Sequence, residues 1–243
     1  MALPKLDVPI YETTLISTGK LVRFRPFLVK EQKLFLMASQ SNDNNEVINS
    51  IKQVLSNCIM DDINIELIPA FDLEHLFIQL RARSVSEIVQ LRYTCNNIVK
   101  NEQEEDKICG GIVKIDVNLL EIKPTINSNH SNNIKITENL GIVMNYPNFN
   151  ILNKLNNKDE LEMLDIIVDC IDYIYDKDQL YYSKDTDRKE MVTFIEDMQQ
   201  SDLVKIQNFF ETMPKITKDL DFHCPKCNYT ETMNIEGIQN FFG

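Results

Sequence analysis

Apolar positions along this chain follow two rhythms, one helical and one alternating. Residues 20–24 alternate, placing Leu21 and Arg23 on one side and Val22 and Phe24 on the other, which predicts a strand. Pro26 has no N–H to lend to a ladder, so that strand is expected at a sheet edge or at its own end. Residues 30–38 turn helical, with Leu34, Phe35 and Met37 apolar, and the polar run 39–45 reads as a loop. A second helix is predicted over 46–57, where Val47, Ile51, Val54, Leu55 and Cys58 make one stripe. Asp72 is placed to cap a third helix carrying Leu73, Leu76, Phe77 and Leu80.

Alternation then returns. Over 87–94 Val89, Leu91 and Tyr93 oppose Gln90, Arg92 and Thr94, and over 112–117 Val113, Ile115 and Val117 oppose Lys114 and Asp116. The polar, acidic stretch 95–111 between them makes the pair a β-hairpin with an extended tip. Two further strands are expected at 134–137 and 140–145. The strongest helical pattern covers 158–175, through Leu161, Leu164, Ile167, Val168, Ile171, Ile174 and Tyr175. A polar loop over 176–188 and helices over 189–199 and 202–213 follow, the last capped by Ser201 and stopped by Pro214. A strand pair flanks Cys224 and Cys227, and the chain ends on Phe241-Phe242. The fold class expected is α+β, a helical body with β-hairpins. Its regions are 1–86 (a strand plus helices), 87–150 (hairpins), 151–216 (helices) and 217–243 (a last hairpin), gathered into one or two compact domains.

Composition narrows the function. With 43% hydrophobic and 26% charged residues the chain is ordinary globular material, and its net charge of −12 repels nucleic acid and anionic membrane. Lys20, Arg23, Arg25, Lys30 and Lys33 form a local basic cluster that reads as a solvated face. The opening Met1-Ala-Leu-Pro-Lys-Leu-Asp lacks the apolar stretch of a secretory signal, and no run of 18 apolar residues occurs, so work in a cytoplasm is expected. In that compartment six cysteines point to free thiols or metal ligands before disulfides.

His223-Cys224-Pro-Lys-Cys227-Asn-Tyr is the sharpest motif. A Cys-x-x-Cys turn lets two thiolates face one ion, and Asn228 tolerates the left-handed backbone that such a knuckle needs. Cys95 and Cys109 stand at the two ends of the other hairpin tip, with Gly110-Gly111 after the second. Together Cys95, Cys109, Cys224 and Cys227 make a candidate zinc-ribbon-like site of structural type, because four protein ligands leave no open position. The alternative is four reduced, metal-free thiols. Cys58 and Cys170 lie on apolar stripes and read as core residues, and His75 and His130 as ordinary structure. A thiol oxidoreductase would place Cys-x-x-Cys before a helix, whereas strand-like residues follow Cys227. No phosphate-binding Gly loop, Gly-x-Ser-x-Gly elbow or His-Glu-x-x-His occurs, so no enzyme activity is expected. A nucleic-acid-binding zinc ribbon is disfavoured by the charge.

Three long stretches carry a resemblance. They are Leu15-Ile-Ser-Thr-Gly-Lys with Arg23-Phe-Arg-Pro-Phe-Leu-Val-Lys-Glu-Gln-Lys, then Phe71-Asp-Leu-Glu-His-Leu-Phe-Ile-Gln-Leu-Arg-Ala-Arg-Ser-Val-Ser-Glu, and Ile206-Gln-Asn-Phe-Phe-Glu-Thr-Met-Pro-Lys before the Cys-Pro-Lys-Cys knuckle. In this order they resemble the baseplate hub subunits of T-even-like contractile-tailed bacteriophages. The resemblance implies a role in building the hub of a tail baseplate, inside the host cell or in the virion tail, through contacts with other hub or tail proteins. Arg25, Pro26 and Phe27 are the segment expected to make one such contact, or else to close the core.

Overall fold

A computed structural model describes residues 6–40, 44–100, 104–151 and 160–237. Part of the polar loop after the first helix, the start of the acidic hairpin tip, the opening residues of the 158–175 pattern and the Phe241-Phe242 end lie outside them. The chain divides into two units, one made of Met1–Ile65, Phe71–Thr125 and Lys215–Gly243, the other of Glu66–Ala70 and Ile126–Pro214. The class is α+β, as the two rhythms predict.

In the first unit, β1 (Tyr11–Thr14) pairs antiparallel with β2 (Leu21–Phe24), and Val22 and Phe24 are buried while Leu21 and Arg23 face out. The other side of β2 is bridged to Ile59 at Phe24, and the strand ends there, two residues before Pro26, so the proline marks a strand end and not an edge. Helices α1 (Val29–Gln40), α2 (Asn44–Cys58) and α3 (Ala70–Ser84) follow. The α2 stripe is inward-facing, with Ile51, Val54, Leu55 and Cys58 almost wholly buried. Asp72 does not cap α3. It lies inside the first turn, fully buried, and accepts from Ile16 N (2.6 Å), Ser17 N (3.3 Å) and the Ser17 hydroxyl, tying the β1–β2 turn to the helix. The β3 (Ile88–Thr94) and β6 (Ile112–Asn118) hairpin is in the register expected, with Val89, Leu91, Val113 and Val117 buried. Its inner face packs with Ile78 and Ala82 of α3 and with Ile216, Leu220 and Ile235. Those last residues belong to β12 (Lys215–His223) and β13 (Thr230–Glu236), a hairpin extended by the short β7 (Pro124–Thr125).

The second unit has a four-stranded antiparallel sheet, in the order β11 (Gln179–Tyr182), β10 (Ile171–Asp176), β9 (Leu140–Met144), β8 (Asn133–Lys135). Helices α4 (Glu160–Asp169), α5 (Arg188–Glu196) and α6 (Gln200–Thr212) contribute Ile166, Ile167, Met191, Ile195, Ile206 and Phe209 to one core with Ile142, Met144, Ile171 and Ile174 of the sheet. Here the sequence expectation of one helix over 158–175 and a loop over 176–188 is corrected. The helix ends at Asp169, and Ile171-Asp-Tyr-Ile-Tyr-Asp is a strand that turns through Lys177, at a left-handed φ of 54°, into β11. Ile171 and Ile174 keep the helical phase of the preceding turns, so periodicity cannot mark the break. Their β-branched and aromatic neighbours, together with pairing on both edges, favour the strand. On α6 the residue before the helix is Gln199, without a side-chain cap bond, in place of the expected Ser201.

Candidate metal centre

The β3–β6 ladder ends at Thr94 and Ile112, but the chain beyond it does not loop out freely. Cys95 N donates to Gly111 O (2.8 Å), Gly110 N to Cys95 O (3.0 Å) and Cys109 N to Asn97 O (2.8 Å). These bonds lead into a second small ladder, β4 (Ile98–Lys100) against β5 (Asp106–Ile108). The β4–β5 ladder thus stands upon the β3–β6 ladder, and this sets Cys95 beside Cys109 although they lie far apart in sequence. On the other hairpin Cys224 N donates to Tyr229 O (2.9 Å) and Asn228 N to Cys224 O (2.8 Å), closing the Cys-Pro-Lys-Cys turn, with Asn228 at φ 58°.

The two turns meet sulfur to sulfur. Cys95 Sγ lies 3.7 Å from Cys227 Sγ and Cys109 Sγ 3.7 Å from Cys224 Sγ, and all four sulfurs fall within 4.8 Å of one another. A disulfide needs about 2.05 Å. A tetrahedron with metal–sulfur bonds of about 2.3 Å has edges of about 3.8 Å, which matches both 3.7 Å separations. Gly111 fits the same geometry, since a Cβ there would stand 2.8 Å from Cys224 Sγ and 3.4 Å from Cys109 Sγ. Cys95, Cys109 and Cys224 are buried, Cys227 partly so, among Val113, Phe222, Tyr93 and Met233.

Backbone amides two residues downstream point at three of the sulfurs: Asn97 N–H at Cys95, Gly111 N–H at Cys109 and Tyr229 N–H at Cys227. The Asn97 side-chain amide adds a 3.7 Å contact to Cys227 Sγ. Burial, with the neighbouring thiols, pushes Cys95 up to about 12 and also raises Cys109. The Tyr229 amide, opposed by burial and helped by Asn97 and the other thiols, holds Cys227 down at about 6. Four thiols around one point divide in this way because the first thiolate opposes the next. A dication at the centre reverses that opposition and favours deprotonation of all four. The donor set, the spacing and the amide cradle therefore suit a tetrahedral thiolate metal such as zinc.

The remaining predicted residues are placed as follows. His223 is exposed on the strand face opposite the buried Cys224. Cys58 and Cys170 are buried at the ends of α2 and α4, and burial pushes Cys58 up to about 11. His75 bonds Thr13 (2.9 Å) and His130 bonds Thr212 and Tyr146. Arg25 donates to Glu31 Oε1, Asn57 O and Pro26 O, each at 3.0 Å. Burial works against the charge of Glu31, but Arg25, the Leu28 N–H and Lys30 outweigh it and hold the carboxyl below the usual carboxylate range. Phe27 donates its N–H to Ser84 Oγ and sets its ring edge-on to Phe35. The sequence alone does not reveal that the Asn97, Gly111 and Tyr229 amides face the sulfurs. Their common signal is the position two after a cysteine.

Residues 8–243 match the family described as T4 bacteriophage base plate protein. Among curated proteins, the baseplate hub assembly protein gp26 of Enterobacteria phage T4 is 25% identical over 232 residues, covering 92% of this chain and 93% of the relative. No solved structure matches. With nearly its whole length inside the family's pattern, the chain belongs to the T4 bacteriophage base plate protein family.

Proposed function

We propose that the chain builds the hub of a phage tail baseplate by contact alone, as an assembly protein and not as a catalyst. The family match over residues 8–243 carries this reading, and the relative's name as a hub assembly protein favours the assembly version over a permanent virion part. The proposed setting is the host cell cytoplasm during assembly, with other hub or tail proteins as partners. Among the described residues no helix is long and apolar enough to cross a membrane. Strand β13 follows Cys227 at the place where a thioredoxin-like motif would run into a helix.

We further propose that Cys95, Cys109, Cys224 and Cys227 hold one structural zinc. Four thiolates close the coordination shell, and the ion joins segments far apart in sequence. For the partner contact, the Arg25, Pro26 and Phe27 segment supplies a fixed backbone, since the Arg25 and Phe27 N–H groups and Pro26 O bond within the fold. It leads into exposed Leu28, and α1 carries Val29, Leu36 and Met37 on one outward stripe, at 69%, 57% and 70% exposure. An apolar stripe beside Lys30 and Lys33 suits a partner surface with acidic and apolar groups.

Pull-down from infected cells tests the role. The wild-type chain is expected to bring down hub proteins, and a Val29→Asp/Met37→Asp variant to lose them while keeping its fold. Mass spectrometry of purified particles is expected to find almost none of the chain. Stoichiometric copies there would replace the assembly reading with a structural one, and no hub protein in the pull-down would remove both.

A further inference from the structure

The two hairpins that meet at the cysteines also enclose a cleft of about 450 Å³ on the flank of the cluster. Tyr93 and Ile98 line it from one hairpin, and Phe222, Tyr229, Glu231 and Met233 from the other. We infer that this cleft takes an arginine side chain of a partner protein. The inference extends the reading that the chain acts by contact, though its test uses the isolated protein and does not depend on the baseplate role.

The register of the last hairpin carries the argument. Glu231 stands opposite Phe222, Met233 opposite Leu220 and Ile235 opposite Lys218. Directly opposed residues share a face, so the inward side of β13 reads Ile235, Met233, Glu231. Ile235 is buried and Met233 partly buried, and at the next inward position the pattern calls for another apolar residue. A carboxylate occupies it instead, at the open end of the cleft. Breaking the local rule at a lined cavity is a mark of a site, not of packing.

The chemistry selects the occupant. Glu231 Oε2 accepts from Tyr229 Oη at 2.8 Å, which orients the carboxylate. Among the described residues no lysine or arginine forms an ion pair with it, so its charge is available to a visitor. Phe222 and Tyr229 lie 6.4 Å apart with their planes at 63°, and Tyr93 adds a third ring. Aromatic surfaces attract cations, and the planar, weakly hydrated guanidinium stacks on them while offering a paired N–H edge to a carboxylate. Ile98 and Met233 suit the aliphatic stem. A net charge of −12 also selects basic partners over acidic ones.

The test is an amide NMR titration of the full-length chain, purified without chelator, using N-acetyl-arginine amide as probe. Saturable shifts are expected at Asn97, Tyr229 and Glu231. The neutral analogue N-acetyl-citrulline amide is expected to bind roughly tenfold more weakly, a difference of one charge-assisted contact. Glu231→Gln should weaken the arginine probe by a similar factor, whereas Glu236→Gln, further along the same strand, should not. Unchanged shifts elsewhere in each variant report an intact fold. Equal binding of the citrulline or lysine analogue, non-saturating shifts, or full binding by Glu231→Gln would each overturn the inference.

Discussion

His130 shows how much one side chain can settle. The Thr212 hydroxyl donates to Asn208 O at 2.6 Å, so its oxygen must accept the proton on His130 Nδ1, 2.9 Å away. His130 Nε2 then carries the lone pair and accepts from Tyr146 Oη at 3.0 Å, with the imidazole stacked on Tyr146 and tilted against Phe209. Both neighbours are matched to the neutral ring, and burial holds its pKa below the ordinary 6.5. A histidine lowered on folding binds fewer protons in the native state than in the unfolded chain. Its contribution to stability is therefore whole above pH 6.5 and is lost as pH falls from there through the lowered value. Burial lowers His75 in the same direction, so the informative quantity is a difference. Thermal melts above and below pH 6.5 should show a smaller acid-induced loss for His130→Gln than for the wild type. Equal losses would mean that the ring is not held neutral.

Among the elements, the β8–β9–β10 sheet depends on one close approach. Tyr175 of β10 lies opposite Gly141 of β9, and its hydroxyl reaches across to Asn133 Oδ1 on β8 at 3.0 Å. A Cβ on Gly141 would run into the Tyr175 ring and its hydroxyl, so the glycine is what lets the ring cross the strand. Gly141→Ala should cost about 1–3 kcal/mol, the usual penalty of overpacking, and should cost much less when Tyr175 is also replaced by Ala. Denaturant unfolding of the four proteins in that cycle measures it, and additive costs would show that the two residues do not interact. None of this sheet's pairing was legible beyond β8 and β9. Strands with one buried face, such as Val89-Gln-Leu-Arg-Tyr, announce themselves by alternation. Ile171-Asp-Tyr-Ile-Tyr continues the phase of α4 and reads as helix until β9 and β11 are placed beside it. Likewise the four cysteines were legible as a set, because Cys-x-x-Cys and Cys…Cys-Gly-Gly are local marks. The ladder of Ile98–Lys100 with Asp106–Ile108, which brings Cys95 and Cys109 together, has strands of three residues, too short to show an alternation, and most of its residues are exposed.

For the whole molecule, the cysteine cluster decides how the first unit is closed, since two of its sulfurs come from before residue 126 and two from after residue 214. Purified protein is expected to contain one zinc per chain by elemental analysis, and Cys224→Ser to contain far less. Structural thiolate–imidazole zinc sites contribute roughly 10–16 kcal/mol of binding near neutral pH, so removing the ion should free the two hairpin tips from one another. Hydrogen exchange should then quicken around Val113 and Phe222 while the core of Ile142, Ile167 and Phe209 keeps its protection. Metal-free protein with unchanged exchange would show four thiols that need no ion. The interleaving of the units also sets a timetable for the chain during synthesis. Everything from Ile126 to Pro214 can leave the ribosome and settle while the amino-terminal hairpin waits with two unclaimed thiols. Strands β12 and β13 follow this stretch and bring the other two, so a chain that stops short of Cys224 is left with an open clasp.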